Sequence, residues 1–330
     1  VSAEQKRGKS ELLAAMEELL PKELDESDSG DQEPEMKLAI VGRRNVGKST
    51  FVNTLAQEER MIVSEIPGTT RDSVDVRFEM DGRVFVAIDT PGLMRRKSVR
   101  ENVDFYGARR AEASIRRADV VLLFFDATDE ISRVDKQLAK YIAEQHKPCI
   151  FVVNKWDLMV GQIPTEVWVN RLAATFGTMN YVPVAFITGK TGKNVKRLMT
   201  VAWSLFKQSR ERVGTGQLNR LLQKVLKRNP PPSVGTRRAK IYFGTQVAIQ
   251  PPTIVLVCND PSLVSPSYQR YILNALREEL PYPEIPIRLF LRKRGGRAPT
   301  AMIPSLEERE DEPTDDDVWS DDWSDADEEE

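Results

Sequence analysis

Cysteine and histidine are nearly absent, with two of the first and one of the second in 330 residues. Cys149 and Cys258 both stand inside apolar runs that read as strands, so they are expected to be small buried hydrophobes in a reducing compartment, not a disulfide or metal framework. His146 ends a helical segment just before Lys147-Pro148, the place of a surface or capping residue and not of a catalytic one. Long hydrophobic runs are missing too: none approaches the ~18–20 residues of a membrane span. The expectation is a cytoplasmic chain with no membrane partner and no stable homo-oligomer.

A net charge of −2 hides a strong segregation. Between Glu307 and Glu330 fifteen acids face only Arg309, and Glu23 to Glu35 holds seven acids and no base. Residues 1–22 are balanced, so residues 36–306 carry a net +19. A globular part that basic expects a polyanion, with nucleic acid the obvious one. The length calls for more than one core, and composition divides it. Residues 22–36 read as an acidic flexible linker and 295–330 as a disordered acidic tail carrying Trp319 and Trp323. Residues 1–21 place Gly8-Lys9-Ser10 before an amphipathic helix with Leu12, Leu13, Met16, Leu19 and Leu20 on one stripe. They echo Gly192-Lys193-Asn194 and the helix after it, and read as the end of an earlier, similar domain.

Two segments remain, 37–209 and 210–294. The first begins with an apolar strand, Lys37 to Val41, then Gly42-Arg43-Arg44-Asn45-Val46-Gly47-Lys48-Ser49, with a helix opening at Ser49 and running through Thr50 to Ala56. Strand, Gly-x-x-x-x-Gly-Lys-Ser and helix together make a phosphate loop. Its backbone N–H groups and the helix N-terminus hold a polyphosphate, Lys48 reaches the terminal phosphates, and the Ser49 hydroxyl reaches Mg2+. Ser73 to Met80 and Arg83 to Asp89 form a hairpin turning at Asp81-Gly82. Apolar runs at Asp119–Phe125, Pro148–Val153 and Tyr181–Phe186 suit parallel strands buried on both faces, with helices around 103–117, 132–145, 164–176 and 193–209 between them. The fold class is α/β: a doubly wound, mostly parallel sheet with an antiparallel edge hairpin, binding its ligand at the carboxyl ends of the strands.

Those ends carry the remaining motifs. Asp89-Thr90-Pro91-Gly92 offers a carboxylate to Mg2+ and the Gly92 N–H to a γ-phosphate. Pro67-Gly68-Thr69-Thr70-Arg71-Asp72 offers a threonine hydroxyl to the same metal, and Thr70 is the expected ligand. Asn154-Lys155-Trp156-Asp157 places a carboxylate where guanine N1–H and its 2-amino group can donate, which selects GTP over ATP. In this order and spacing the four motifs make a GTPase domain.

The runs Gly68-Thr69-Thr70-Arg71-Asp72, Asp89-Thr90-Pro91-Gly92-Leu93-Met94-Arg95-Arg96-Lys97 and Asp126-Ala127-Thr128 resemble the Era/TrmE-type P-loop GTPases, and within them the EngA family of ribosome-assembly factors. The resemblance covers residues 1–294. It implies the end of a first GTPase domain, a whole second one, and a small α/β KH-like domain. It also implies GTP hydrolysis, with the large ribosomal subunit and rRNA as partners. Thr188-Gly189-Lys190 stands where the family usually has Ser-Ala in the guanine-closing loop. Leu93 stands where signalling GTPases place a water-orienting glutamine, so the intrinsic rate is expected to be slow. The resemblance implies instead a K+ ion held by Asn45 and the carbonyls near Pro67–Thr70, stabilising developing negative charge. Lys48, Asn45, Thr70 and Gly92 are thus the expected catalytic set, and Ser49, Thr70 and Asp89 the Mg2+ set. Residues 210–294 contain no Gly-x-x-Gly, the loop by which ordinary KH domains clamp a nucleic-acid backbone. Their basic rim, Arg237, Arg238, Lys240, Arg288, Arg292, Lys293 and Arg294, is the expected contact with RNA phosphates. Two alternatives stand beside this: a tRNA-modification GTPase sharing the Gly-Thr-Thr-Arg-Asp loop, and a nucleotide-gated docking scaffold in which hydrolysis only resets the switch.

Overall fold

The computed structural model describes residues 35–57, 64–67, 74–88, 103–234 and 236–295. They form two compact units, one running to Arg210 and taking in Glu284–Pro286, the other made of Glu211–Pro283 and the chain from Ile287 on.

The first unit is built on a seven-stranded sheet. Its strands are β1 (Met36–Val41), β2 (Ser64–Pro67), β3 (Val74–Met80), β4 (Arg83–Ala87), β5 (Val120–Asp126), β6 (Cys149–Asn154) and β7 (Val184–Phe186), in the order β2-β3-β4-β1-β5-β6-β7. From β4 to β7 every pairing is parallel, and β3 runs antiparallel to both β2 and β4. The hairpin expected at the edge is therefore covered on its outer side by β2, whose Ser-Glu-Ile-Pro has no apolar pattern and is held by backbone pairing to β3. The expected strand 181–186 is cut to three residues. Pro183 has no N–H to give a ladder, and Val182 turns back to bond its N–H to Met179 O at 3.0 Å.

The helices of this unit are α1 (Lys48–Gln57), α2 (Val103–Arg117), α3 (Arg133–Glu144), α4 (Thr165–Thr175) and α5 (Val195–Arg210). β5 is buried at all seven positions because it is covered on both sides. Val121, Leu123 and Phe125 join Ile115 of α2, Leu138 and Ile142 of α3, and Trp168 and Leu172 of α4 in one cluster. Alternation sends Phe124 the other way, where it meets Phe51 of α1 at 5.1 Å, and on β4, across β1 from it, Phe85 meets Trp203 of α5 at 5.7 Å. Each such burial is worth about 1.5–3 kcal/mol, so the two-sided packing fixes the sheet order and the direction of its carboxyl ends. Ser132 and Asp135 start α3 as a reciprocal capping box, the Ser132 hydroxyl accepting from Asp135 N and the Asp135 carboxylate from Ser132 N.

The second unit holds α6 (Thr215–Arg228), a short hairpin of β8 (Ser233–Val234) and β9 (Arg237–Arg238), and β10 (Ile241–Ala248), β11 (Thr253–Cys258), α7 (Pro266–Arg277) and β12 (Arg288–Lys293). Its three-stranded sheet has the order β10-β11-β12, with β10 antiparallel and β12 parallel to central β11. Gly244 makes room for Leu256 of β11, whose side chain would lie 2.8 Å from a Cβ there, and Leu222 of α6 packs at an ordinary 3.5 Å from the same point. The Gly244 N–H and C=O both pair with the side-chain amide of Asn219 on α6, at 2.8 and 2.9 Å. Among the described residues no helix is long and apolar enough to cross a membrane.

Candidate functional site

The phosphate loop joins β1 to α1, and its backbone explains its glycines. Gly42 sits at φ +140° and a Cβ there would lie 2.6 Å from Phe124 O; Gly47 sits at φ +97°. Asn45 takes a left-handed φ of 63°, which asparagine tolerates, and is exposed. The first helical bond runs from Phe51 N to Gly47 O at 3.0 Å. The N–H groups of the first helical turn therefore have no helical acceptor and face the loop's concavity. Val46 is buried, Ser49 is half-buried and Thr50 is exposed. The Lys48 ammonium closes the loop by donating to the carbonyls of Gly42 and Arg43. Burial lowers its pKa to about 8; the Asp135 carboxylate works against that shift and Arg44 adds to it.

Asn154 ends β6 and is buried. Its side-chain amide donates to Val46 O at 2.8 Å and accepts from Gly189 N at 2.9 Å. One residue thus ties the phosphate loop to the 188–190 loop, and Thr54 of α1 adds a bond from its hydroxyl to Gly189 O at 2.6 Å. Lys155 follows at a left-handed φ of 61°, and its ammonium pairs with the Asp126 carboxylate at the end of β5. Burial pushes the Asp126 carboxyl up, but Lys155 and the Thr128 N–H and hydroxyl outweigh it and hold it below the ordinary carboxylate range. The Trp156 ring lies 4.5 Å from that of Phe186, and Trp156 N bonds Ile187 O at 3.1 Å. These contacts hold a short 3-10 turn, Trp156–Leu158, on whose surface Asp157 stands exposed. The Asp157 N–H donates to the Thr188 hydroxyl at 3.3 Å, while its carboxylate has no partner among the described residues. Thr188 and Gly189 are buried and Lys190 is exposed.

The carboxyl ends of β1 and β6 thus bring together Gly42 to Thr50, Asn154 to Asp157 and Thr188 to Lys190, a polyphosphate cradle beside an open carboxylate and backbone donors. Thr70, Asp89, Thr90, Pro91, Gly92 and Leu93 lie outside the described residues, as do residues 1–21, most of the linker and the tail.

Arg43 is placed differently from a free phosphate ligand. Its guanidinium bonds Asp129 at 2.7 Å and stands 3.9 Å from the buried Asp135. That clamp ties the phosphate loop to the β5–α3 connection, and only the Ser132-x-x-Asp135 capping pattern hints at it in the sequence. The Lys155–Asp126 pair has no local signal at all, because its members lie 29 residues apart.

In the second unit most of the basic rim gathers at the Cys258 end of the three-stranded sheet, while Arg288, paired with Thr253, stands at the other end. Arg237, Arg238, Lys240, Lys293 and Arg294 are exposed, Arg288 and Arg292 half-buried. Arg237 pairs with Asp260 at 2.8 Å, and Arg238 donates to Pro231 O at 2.9 Å.

Residues 37–155 match a family described as 50S ribosome-binding GTPases, and residues 212–292 match the KH-domain-like C-terminal part of EngA bacterial GTPase enzymes. GTPase Der of Rhodopirellula baltica is 54% identical over 294 residues, which is 89% of this chain and 64% of the relative. GTPase Der of Desulforudis audaxviator is 38% identical over 298 residues, 90% of this chain and 67% of the relative. The chain therefore spans about two thirds of the length of these relatives. A crystal structure of Era with MgGDPNP and nucleotides 1506–1542 of 16S ribosomal RNA is 22% identical, with a TM-score of 0.40 over 78% of this chain and 92% of that one, a likeness too slight to bear on the fold. With both units matched in order and a relative covered over two thirds of its length, the chain belongs to the EngA/Der family of P-loop GTPases.

Proposed function

We propose that residues 37–209 bind GTP with Mg2+ and hydrolyse it to GDP and phosphate, and that the chain serves ribosome biogenesis on the large subunit, docking to rRNA through residues 210–294. The observation that carries the nucleotide assignment is the Asn154 amide, which holds phosphate loop and guanine-closing loop together and leaves the Asp157 carboxylate open for a base. That carboxylate can accept two hydrogen bonds from guanine and none from adenine. Replacing Asp157 by Asn is expected to weaken GTP by roughly 100-fold, the size of two charge-assisted bonds, and to raise affinity for xanthosine triphosphate. An unchanged guanine-to-xanthine ratio in competition binding would overturn the base assignment.

The donor set suits magnesium. Ser49 presents a hydroxyl in the first turn of α1 with no partner among the described residues, and Thr70 and Asp89 supply the hard oxygens such an ion prefers. The ion would neutralise charge on the β- and γ-phosphates. Lys48 adds its ammonium, and the Gly92 N–H holds the γ-phosphate so that its loss frees the segment after it. With Leu93 where a glutamine would orient water, turnover is slow, and Asn45, an exposed residue of the phosphate loop, helps to hold a potassium ion in this reading. Equal hydrolysis rates in potassium and sodium would remove that role.

The matched description of residues 37–155 as a 50S ribosome-binding GTPase supports the large subunit as partner, and the EngA-type match of residues 212–292 favours assembly over tRNA modification. Phosphate contacts by the exposed arginines and lysines make ribosome binding steeply salt-dependent; a flat dependence would count against it.

A further inference from the structure

The basic end of the second unit holds an aromatic ring that two cations approach. The Arg294 guanidinium carbon lies 5.1 Å from the centre of the Tyr242 ring, and Lys240 Nζ lies 5.6 Å from it. Single cation–ring pairs are ordinary surface contacts. This one differs in three ways. The ring carries two cations. It also sits at an irregularity in the ladder: pairing steps from Ile241 with Cys258 to Phe243 with Val257, so Tyr242 is an extra residue without a partner on β11. Such bulges turn a side chain out of the regular alternation. Next to it Phe243 is 42% exposed.

The surroundings are one-signed. Arg294 N bonds Cys258 O at 2.9 Å and Asn259 N bonds Lys240 O at 3.0 Å, which brings the two cations to the same end of the sheet. Lys293 and Arg237 flank them, and the nearby carboxylate of Asp260 is engaged by Arg237 and by the Ser262 N–H and hydroxyl. A guanidinium lying over a phenol ring, within reach of further cations, extends a stack that an unpaired base can join while its neighbouring phosphates meet those cations.

We infer that Tyr242 and Arg294 form a stacking platform for one unpaired RNA base, with Lys240 taking an adjacent phosphate. This rests on the rRNA reading above and sharpens it. The second unit then recognises single-stranded RNA by stacking, at a place other than a Gly-x-x-Gly loop.

The test is anisotropy with the full chain and two labelled probes of about twelve units, within the usual single-strand site size. One is an oligouridylate and the other a phosphate oligomer of the same length with abasic spacers. The chain is expected to bind the oligouridylate roughly tenfold more tightly. Tyr242→Ala should erase that preference and leave the salt-dependent binding of the abasic probe, while Tyr242→Phe, which keeps the ring, should retain it. Equal binding of the two probes by the unaltered chain would overturn the platform and leave the phosphate reading standing. Binding of neither probe would overturn both. A preference that survives Tyr242→Ala, with thermal melting showing the variant folded, would overturn the assignment of this ring.

Discussion

Asn154 at the end of β6 reaches 108 residues back in sequence to the carbonyl of Val46 in the phosphate loop, at 2.8 Å, with both residues buried. The same amide receives the Gly189 N–H. A buried amide satisfied at both ends fixes distance as well as orientation, and here it sets the spacing between the 42–49 loop and the 188–190 loop.

Replacing Asn154 by Ala should therefore act on both parts. It leaves the Val46 carbonyl and the Gly189 N–H buried without this partner, at about 1–3 kcal/mol each. Guanine-nucleotide affinity should fall roughly 10- to 100-fold, and the nucleotide-free chain should lose about 2–6 kcal/mol in chemical unfolding. Titration calorimetry and urea denaturation check the two effects separately.

Gly47→Ala approaches the same relationship from the other side. A Cβ at Gly47 would stand 2.1 Å from Asn154 Nδ2, and the residue's φ of +97° is one that side chains rarely adopt. Asn154 cannot yield without giving up a hydrogen bond. The expected outcome is a folded chain, destabilised by about 1–3 kcal/mol, whose nucleotide binding is lost. Circular dichroism melting alongside nucleotide binding reads both.

The lowered pKa of Lys48, about 8, predicts a pH dependence with a definite sign. Below pH 8 the ammonium is already present and affinity for a nucleoside triphosphate stays level. Above it the free site has lost the proton that the phosphates require, so binding takes one up and affinity falls by up to tenfold per pH unit. Stability of the nucleotide-free chain moves the other way. The unfolded lysine holds its proton to about 10.5, so between pH 8 and 10.5 folding gains from rising pH. Equilibrium binding between pH 7 and about 9, below the range where the base itself titrates, checks the first statement.

In the second unit Gln246 is buried and its amide joins distant backbone. Oε1 accepts from Val213 N at 2.8 Å, and Nε2 donates to Glu211 O at 3.0 Å. It is the residue that draws the segment just past α5 into this unit. Gln246→Leu keeps the volume and removes these two bonds together with the longer ones to Ala248 O and from the Tyr282 hydroxyl, so a loss of about 2–4 kcal/mol is expected. Hydrogen exchange at Val213 should rise with it.

Much of the first unit was readable because its chemistry and its burial both leave local marks. Strands covered on two sides need unbroken apolar runs, as in Val120 to Phe125, and a loop that wraps phosphate needs glycine where φ is positive, as at Gly42 and Gly47. β2 left no mark, since backbone pairing to β3 holds it without an apolar pattern. The run Tyr181–Phe186 misled, because its hydrophobicity looked like a full strand while Pro183 removed a donor at the point where the ladder would have to begin. The platform at Tyr242 could not be read either, because it depends on a register step between β10 and β11.

The sequence alone determined the kinds of group in the proposed nucleotide site and their order along the chain, because a phosphate-binding loop, a hydroxyl proposed for a metal and a carboxylate proposed for a base each call for particular side chains at short spacing. Only the tertiary structure decided which groups are held in place by others: Asn154 by Val46 and Gly189, Arg43 by Asp129, Lys155 by Asp126. Those partners stand between 29 and 108 residues apart. Hydrogen bonds and ion pairs act over about 3 Å, and only the packed sheet brings such positions that close.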